Sequence, residues 1–358
     1  MRSLQQYFHL RKDAFDIDPF RDADAYFGYQ PLQKKIMQRL AADFVQQRHV
    51  PKFFIFGRYG SGKTHTLSHI AHTLRCDPGF VGVFQETEPI HTEVPPLKAK
   101  ETWHKMHQHL LDAIGKSLMK DAIQRLMSEA SVSDPSAGGD VPGALEAKQV
   151  MRYGDASLRA SQASIFRALL FGGSQEVVAW EWLKGRTLST DQATTLGTET
   201  NLSEPSDYVN ALLNVASLIH KGLGRKVVIL LDEAEMLRSI THPDSHQEFV
   251  WAIRRLVDND NDVLGLVAGF QQEGGMEDAP AVFDDPAIRT RIGDDGYIDL
   301  GELVGEEVDV KAFVTSILDR LIDQDAARET IEEEQLATTP EFFPFTEDVV
   351  DRIAEFII

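Results

Sequence analysis

Eight consecutive residues, Gly57-Arg58-Tyr59-Gly60-Ser61-Gly62-Lys63-Thr64, have the types and spacing needed to hold a chain of phosphates. They fit the pattern G-x-x-x-x-G-K-[ST]. Glycines let backbone N–H groups turn inward around an anion, and a helix that starts where the loop ends adds partial positive charge. In such a loop Lys63 reaches the β- and γ-phosphates, and the Thr64 hydroxyl reaches Mg2+. His65 follows directly and joins the candidate nucleotide-binding set. A second pair, Asp232-Glu233, stands about 170 residues further on. Asp232 suits holding Mg2+, directly or through water, and Glu233 suits orienting and deprotonating an attacking water. A phosphate cradle, a metal and a positioned nucleophile are the parts that phosphoryl transfer requires. ATP and Mg2+ are therefore the expected cofactors. The plainer readings are a chance glycine-rich turn and a strand ending in solvated acids, and the two motifs together weigh against both.

These groups need particular elements to carry them. The apolar run Phe53-Phe54-Ile55-Phe56 reads as a buried strand entering the loop, and Thr66 to Leu74 as the helix leaving it. Val227-Val228-Ile229-Leu230-Leu231 is continuously apolar, as a parallel strand covered on both faces should be, and it delivers Asp232 at its end. Residues 263–270 and 297–300 read as further strands. Phe80 to Phe84 reads as the strand after the loop helix, so that Glu86 either faces a ligand crevice at its carboxyl end or is a solvated acid. Between these lie helical patterns: 31–48, with Leu32, Ile36, Leu40 and Phe44 four apart; one long helix over 100–129; then 156–171, 206–220, 246–257 and 306–323. Residues 131–140 read as a flexible loop, 176–188 as a Trp-bearing segment, and 323–334 as a charged stretch. A last helix is capped by Thr346, with Glu347 and Asp348 in its first turn. The expected fold class is α/β of the P-loop NTPase type, a parallel sheet between helices. Its expected parts are an N-terminal edge segment (1–30), a core (31–300) with a helical insertion at about 95–205, and a small helical lid (301–358).

Composition narrows the setting. The 358 residues include 36 basic and 56 acidic side chains, a net charge of −20, so the chain lacks the overall basic footprint of a nucleic-acid binder, although a local basic stripe remains open. The one cysteine, Cys76, excludes an internal disulfide framework and reads as a buried structural thiol. No apolar run reaches the ~18 residues of a membrane span, and the first residues lack the apolar core of a signal peptide. A soluble cytoplasmic protein is expected, without membrane contact. Two histidine groups, His65/His69/His72 and His104/His107/His109, have spacings that can hold zinc, but lack the Cys or Glu that completes such motifs.

With both motifs placed, the chain resembles AAA+ ATPases of the origin-recognition and transposition-regulator branch. The phrase Trp180-Glu181-Trp182-Leu183-Lys184-Gly185 and the run Leu231-Asp232-Glu233-Ala234-Glu235 are similar to ATP-binding proteins of BREX-type phage-defence systems. The resemblance implies an ATP-driven homo-oligomer with nucleotide at subunit interfaces, acting on double-stranded DNA or on protein partners of the same system. It implies a polar sensor at the end of the 263–270 strand, for which Gln271 is the candidate. It also implies an arginine finger on the segment 285–293, with Arg291 the first choice and Arg289 the second; the competing reading pairs these arginines with nearby acids such as Asp284, Asp294 and Asp295. The branch's second sensor arginine and winged-helix module have no counterpart by Ile358, which turns attention to partners and to the insertion.

Overall fold

The apolar runs become the strands of one parallel sheet in the computed structural model. It describes residues 9–10, 20, 23, 30–46, 50–76, 87–133, 150–258, 260–272, 279–301, 315, 317–319 and 321–357. The strands are β1 (Lys52–Gly57), β2 (Thr87–Glu93), β3 (Lys226–Asp232), β4 (Leu264–Gln271) and β5 (Tyr297–Asp299). They lie in the order β2-β3-β4-β1-β5, every neighbour parallel. All seven residues of β3 and all six of β1 are buried, which explains why those runs are apolar throughout rather than alternating.

Alternation along the strands divides the core in two. Phe53, Ile55, Val228, Leu230 and Val267 face α1 (Gln30–Ala41) and α2 (Lys63–Cys76), the helix that leaves the glycine-rich loop. Phe54, Phe56, Ile229, Leu231 and Leu266 face the opposite layer. That layer comprises α3 (Trp103–Ile114), α4 (Lys116–Ser133), α5 (Ala156–Phe171), α6 (Gly173–Leu183), α7 (Thr190–Leu196), α8 (Pro205–Leu223) and α9 (Pro243–Val257). The helices of the 95–205 region share one continuous buried cluster with the sheet. The W-L-K-G phrase serves that packing: Trp182 is fully buried and donates to the Thr200 carbonyl at 3.0 Å, and a Cβ on Gly185 would lie 2.5 Å from His104 and 2.6 Å from Tyr208.

Several elements differ from the sequence expectation. The expected strand at 80–84 and Glu86 lie outside the described residues; the strand that pairs with β3 is β2, which begins at Thr87. Glu88, His91, Thr92 and Glu93 make it polar and Pro89 lacks an N–H, which suits a strand paired on one side only among the described residues. The long helix over 100–129 is two helices, because Gly115 adopts φ 84° and breaks it. The charged stretch after Asp323 is a helix, α11 (Gln324–Glu334), capped by the Asp323 carboxylate. Cys76 is exposed at the end of α2, not buried. Most of the expected loop at 131–140, of the helix at 306–323 and of the segment 1–30 falls outside the described residues. The described part of the C-terminal region forms a small cluster around Leu321, Ile322 and Phe343, joined by Leu10 through an antiparallel bridge to Ile322. A short helix α10 (Pro286–Ile292) precedes β5, and α12 (Glu347–Ile357) ends the fold. No described helix is long and apolar enough to cross a membrane.

The amino edge of the sheet is pinned by charge. Lys52 donates to the carbonyls of Asp258 and Asn261 at 2.5 and 2.8 Å. Arg39 pairs with Asp43 at 3.3 Å. Burial pushes the Asp43 carboxyl up to about 6, although Arg39 and the Lys52 amide pull the other way.

Two predictions follow from this packing. A Cβ on Gly222 would lie 2.3 Å from the Ala122 carbonyl oxygen, a backbone atom that cannot swing aside. Gly222→Ala should therefore cost about 1–3 kcal/mol of overpacking, measured by urea unfolding. Asp43 holds its proton more tightly folded than unfolded, so its contribution is greatest below about pH 4 and is lost as pH rises to about 6. The stability of the wild type relative to Asp43→Asn should fall over that window and stay level above it.

Candidate functional site

The loop after β1 closes through backbone contacts. The Ser61 amide donates to the Arg58 carbonyl at 3.2 Å, and the Thr66 amide starts α2 on the Gly62 carbonyl at 2.8 Å. Gly60 and Gly62 take φ values of 79° and 84°, which favour glycine, and a Cβ on either would meet nothing within 4 Å. Their requirement is conformational, and the space beside them is open. Lys63 lies back over the loop, donating to the Gly57 and Arg58 carbonyls at 3.2 and 3.0 Å. Burial lowers its pKa, with Glu235 and Asp232 pulling it up. Ser61 Oγ is buried with no partner among the described residues. Arg58, Tyr59 and Gly60 are exposed at the tip.

Asp232 ends β3 at the same carboxyl edge and is almost wholly buried. Burial alone would raise its carboxyl, but His91, the Thr64 hydroxyl and the Glu233 amide prevail and hold it below the usual range. The Glu233 amide donates to Asp232 Oδ1 at 2.9 Å. Glu233 itself sits in the left-handed region, φ 52° and ψ 34°, an uncommon conformation for a glutamate and one that concentrates at functional sites. Its side chain is exposed, and its pKa is raised by partial burial and by the neighbouring Glu93, Asp232 and Glu235. Loop, Thr64, Asp232 and Glu233 are thus brought together. They meet in the crevice at the strand ends, where open parallel sheets place their ligands.

The other expected site residues fall differently. Gln271 lies in register with Gly57, but its main chain is committed, the amide to Glu235 at 2.8 Å and the carbonyl to Arg238 at 2.7 Å. The adjacent Gln272 is the buried one. Its main-chain N–H donates to the Gly57 carbonyl at 3.1 Å, and both polar atoms of its side-chain amide lack partners among the described residues. The run 263–270 locates the strand end but does not discriminate between the two glutamines. His91 and Glu93 were missed because the strand that bears them is polar. Arg289 pairs with Asp284 at 2.7 Å and lies over the Tyr297 ring. Arg291 is bonded to Asp258 and to the Ala287 carbonyl. Asp258 also receives Lys52, the first residue of β1, so Arg291 stands at the amino edge. That edge is roughly 17–20 Å from the loop at about 3.3 Å per strand residue.

The histidine groups do not converge. His69 meets Ala23 and Gln33, His104 and His107 meet the Lys184 and Leu183 carbonyls, and His109 meets Thr92. Among the described residues no group of three or more His, Cys, Asp or Glu could hold a metal ion. A cavity of about 790 Å³ opens between α2, the edge strand β2 and the Gly115 turn, lined by Phe20, Ser68, Arg75, Glu88 and His91 among others. It contains neither the loop nor Asp232. Set against known protein families, curated proteins and solved structures, the chain matches none of them.

The unpartnered Gln272 generates a prediction. A buried amide that makes no hydrogen bond costs folding energy. Gln272→Leu should leave the stability of the ligand-free protein unchanged or raise it by about 1 kcal/mol, read by urea unfolding; a partnered amide would cost about 1–3 kcal/mol on the same change.

Proposed function

We propose that the chain is a P-loop NTPase of AAA+-like type, a cytoplasmic ATP hydrolase that assembles with nucleotide between subunits. The observation that carries this reading is the meeting of the glycine-rich loop with Asp232 and Glu233 at one carboxyl edge of a parallel sheet. The residues fit the nucleotide and its metal. Open space beside Gly60 and Gly62, the unpartnered Ser61 hydroxyl and a lysine held only by loop carbonyls suit a bound polyphosphate. One hydroxyl and one carboxylate, Thr64 and Asp232, form the sparse oxygen set on which Mg2+ binds together with phosphates and water.

ATP brings the phosphoanhydride to be broken, and the Mg2+ bound with it neutralises developing phosphate charge. Lys63 would exchange the Gly57 and Arg58 carbonyls for phosphate oxygens. Glu233, whose carboxylate is the exposed acid beside Asp232, would take a proton from the attacking water, and its raised pKa suits that task. Arg291 lies too far from its own loop to act there and would serve only a neighbouring subunit, and Arg289 is engaged by Asp284 and the Tyr297 ring. Resemblance alone directs the output towards double-stranded DNA or a protein partner in phage defence or genome maintenance. A nucleotide-switched scaffold with little turnover is the second reading, favoured by the ion pairs that hold both arginines to Asp258 and Asp284.

Glu233→Gln should lower ATP turnover by about 10²–10⁴-fold, the usual worth of a general base, while nucleotide binding is retained. Phosphate release measured beside a binding titration checks it. Turnover that survives the change contradicts the assignment, and wild-type turnover at background with ATP-dependent assembly favours the scaffold.

A further inference from the structure

We propose that His91, oriented by Ser68, is a positioning residue that fixes the carboxylate of Asp232 for its metal. The inference rests on the reading of Asp232 as a Mg2+ ligand. Thr64 and Ser68 lie four residues apart on α2 and so share one face of that helix. The Thr64 hydroxyl is among the groups that hold the Asp232 carboxyl below its usual range. Ser68 Oγ lies 3.3 Å from His91 Nδ1, and His91 Nε2 lies 3.9 Å from Asp232 Oδ2. One helix face therefore bears on the carboxylate twice, through the Thr64 hydroxyl and through an imidazole on β2.

Two features argue that this is more than packing. The first is the state of Nε2: it is buried and has no hydrogen-bond partner among the described residues. Asp232 Oδ2 faces it at 3.9 Å, outside hydrogen-bond length. A buried nitrogen left unpaired costs energy. A small rotation of the carboxylate towards it removes that cost, so the arrangement is poised to close rather than already closed. The second is the division of labour at Asp232: the Glu233 amide occupies Oδ1, and His91 faces Oδ2. A Ser68 hydroxyl donating to Nδ1 leaves the proton on Nε2, the tautomer that can donate to a carboxylate. The ring is steadied by Phe20, whose centroid lies 5.0 Å away. Outer-sphere partners of this kind set the orientation and strength of metal-binding carboxylates, and their loss costs about 10–100-fold in metal affinity.

The test is Mn2+ binding to the full chain with a non-hydrolysable ATP analogue, read by electron paramagnetic resonance. His91→Phe keeps an aromatic ring beside Phe20 and removes both nitrogens; His91→Gln returns an amide N–H near the position of Nε2. His91→Phe should weaken Mn2+ about 10-fold or more, His91→Gln should recover most of that loss, and metal-free analogue binding should be the same in all three proteins. Ser68→Ala should weaken Mn2+ less, and should add nothing in the His91→Phe background. Wild-type Mn2+ affinity in His91→Phe overturns the proposal, as does equal loss in His91→Phe and His91→Gln. If His91→Phe does not fold, Ser68→Ala and His91→Gln decide: wild-type affinity in Ser68→Ala, or no retention in a folded His91→Gln, overturns it. Asp232→Asn separates the two levels, because undiminished Mn2+ binding in that variant would remove the metal-ligand reading itself.

Discussion

The site depends on the burial of three adjacent strands, β3, β4 and β1, on both faces. Residues so fully enclosed cannot slip, since a shift of one position would reverse the side chains of the whole strand. The register that burial enforces sets Gly57 opposite Gln271 and Leu231 opposite Ala268. The end of β3 therefore lies level with Ile55, two residues before β1 ends at Gly57, and both strands leave the sheet at the same carboxyl edge. Each strand presents polar groups only where it leaves the core: the glycine-rich loop after Phe56, the acid pair after Leu231. The Gly57 carbonyl links the parts, receiving Lys63 from the loop helix and the Gln272 amide from beyond β4.

The two edges of the sheet handle polarity in opposite ways. At the amino edge the charges find one another: Lys52 with the Asp258 and Asn261 carbonyls, Arg39 with Asp43 and Asp295, Arg291 with Asp258. Such contacts hold the strand starts in place and leave little for a ligand to take. At the carboxyl edge, Ser61 Oγ, His91 Nε2 and both polar side-chain atoms of Gln272 are buried without hydrogen-bond partners among the described residues. Buried polar groups are ordinarily satisfied, and these stand beside others in the same state elsewhere, such as Arg39 Nε and Tyr153 Oη.

Legibility followed burial. Strands enclosed on both faces write continuous apolar runs, so β1, β3 and β4 could be read directly, and with them the positions of Lys63, Thr64, Asp232 and Glu233. The edge strand β2 carries Pro89, His91 and Glu93 because only one side of it is paired, and its sequence gives no periodic signal. The sequence reading placed a strand at 80–84, outside the described residues, and none over Thr87–Glu93, so His91 was missed. Helix spacing continued across Gly115, where a single left-handed residue divides two helices without disturbing the apolar pattern. The choice between Gln271 and Gln272 turns on which side chain points inward at a strand end, a matter of register rather than residue type. Arg289 and Arg291 were read from their place in the chain; the pairing of Arg289 with Asp284 is the competing reading the sequence offered, whereas Asp258 reaches Arg291 by tertiary contact from the end of a different helix.

The central claim is that the glycine-rich loop binds a nucleotide's phosphates through Lys63. Calorimetric titration of the purified chain with ATP and Mg2+, beside Lys63→Ala, tests it most directly. The account predicts saturable binding at one site per chain that the Lys63→Ala variant loses while remaining folded. Equal binding by both proteins, or none by the wild type, would contradict it.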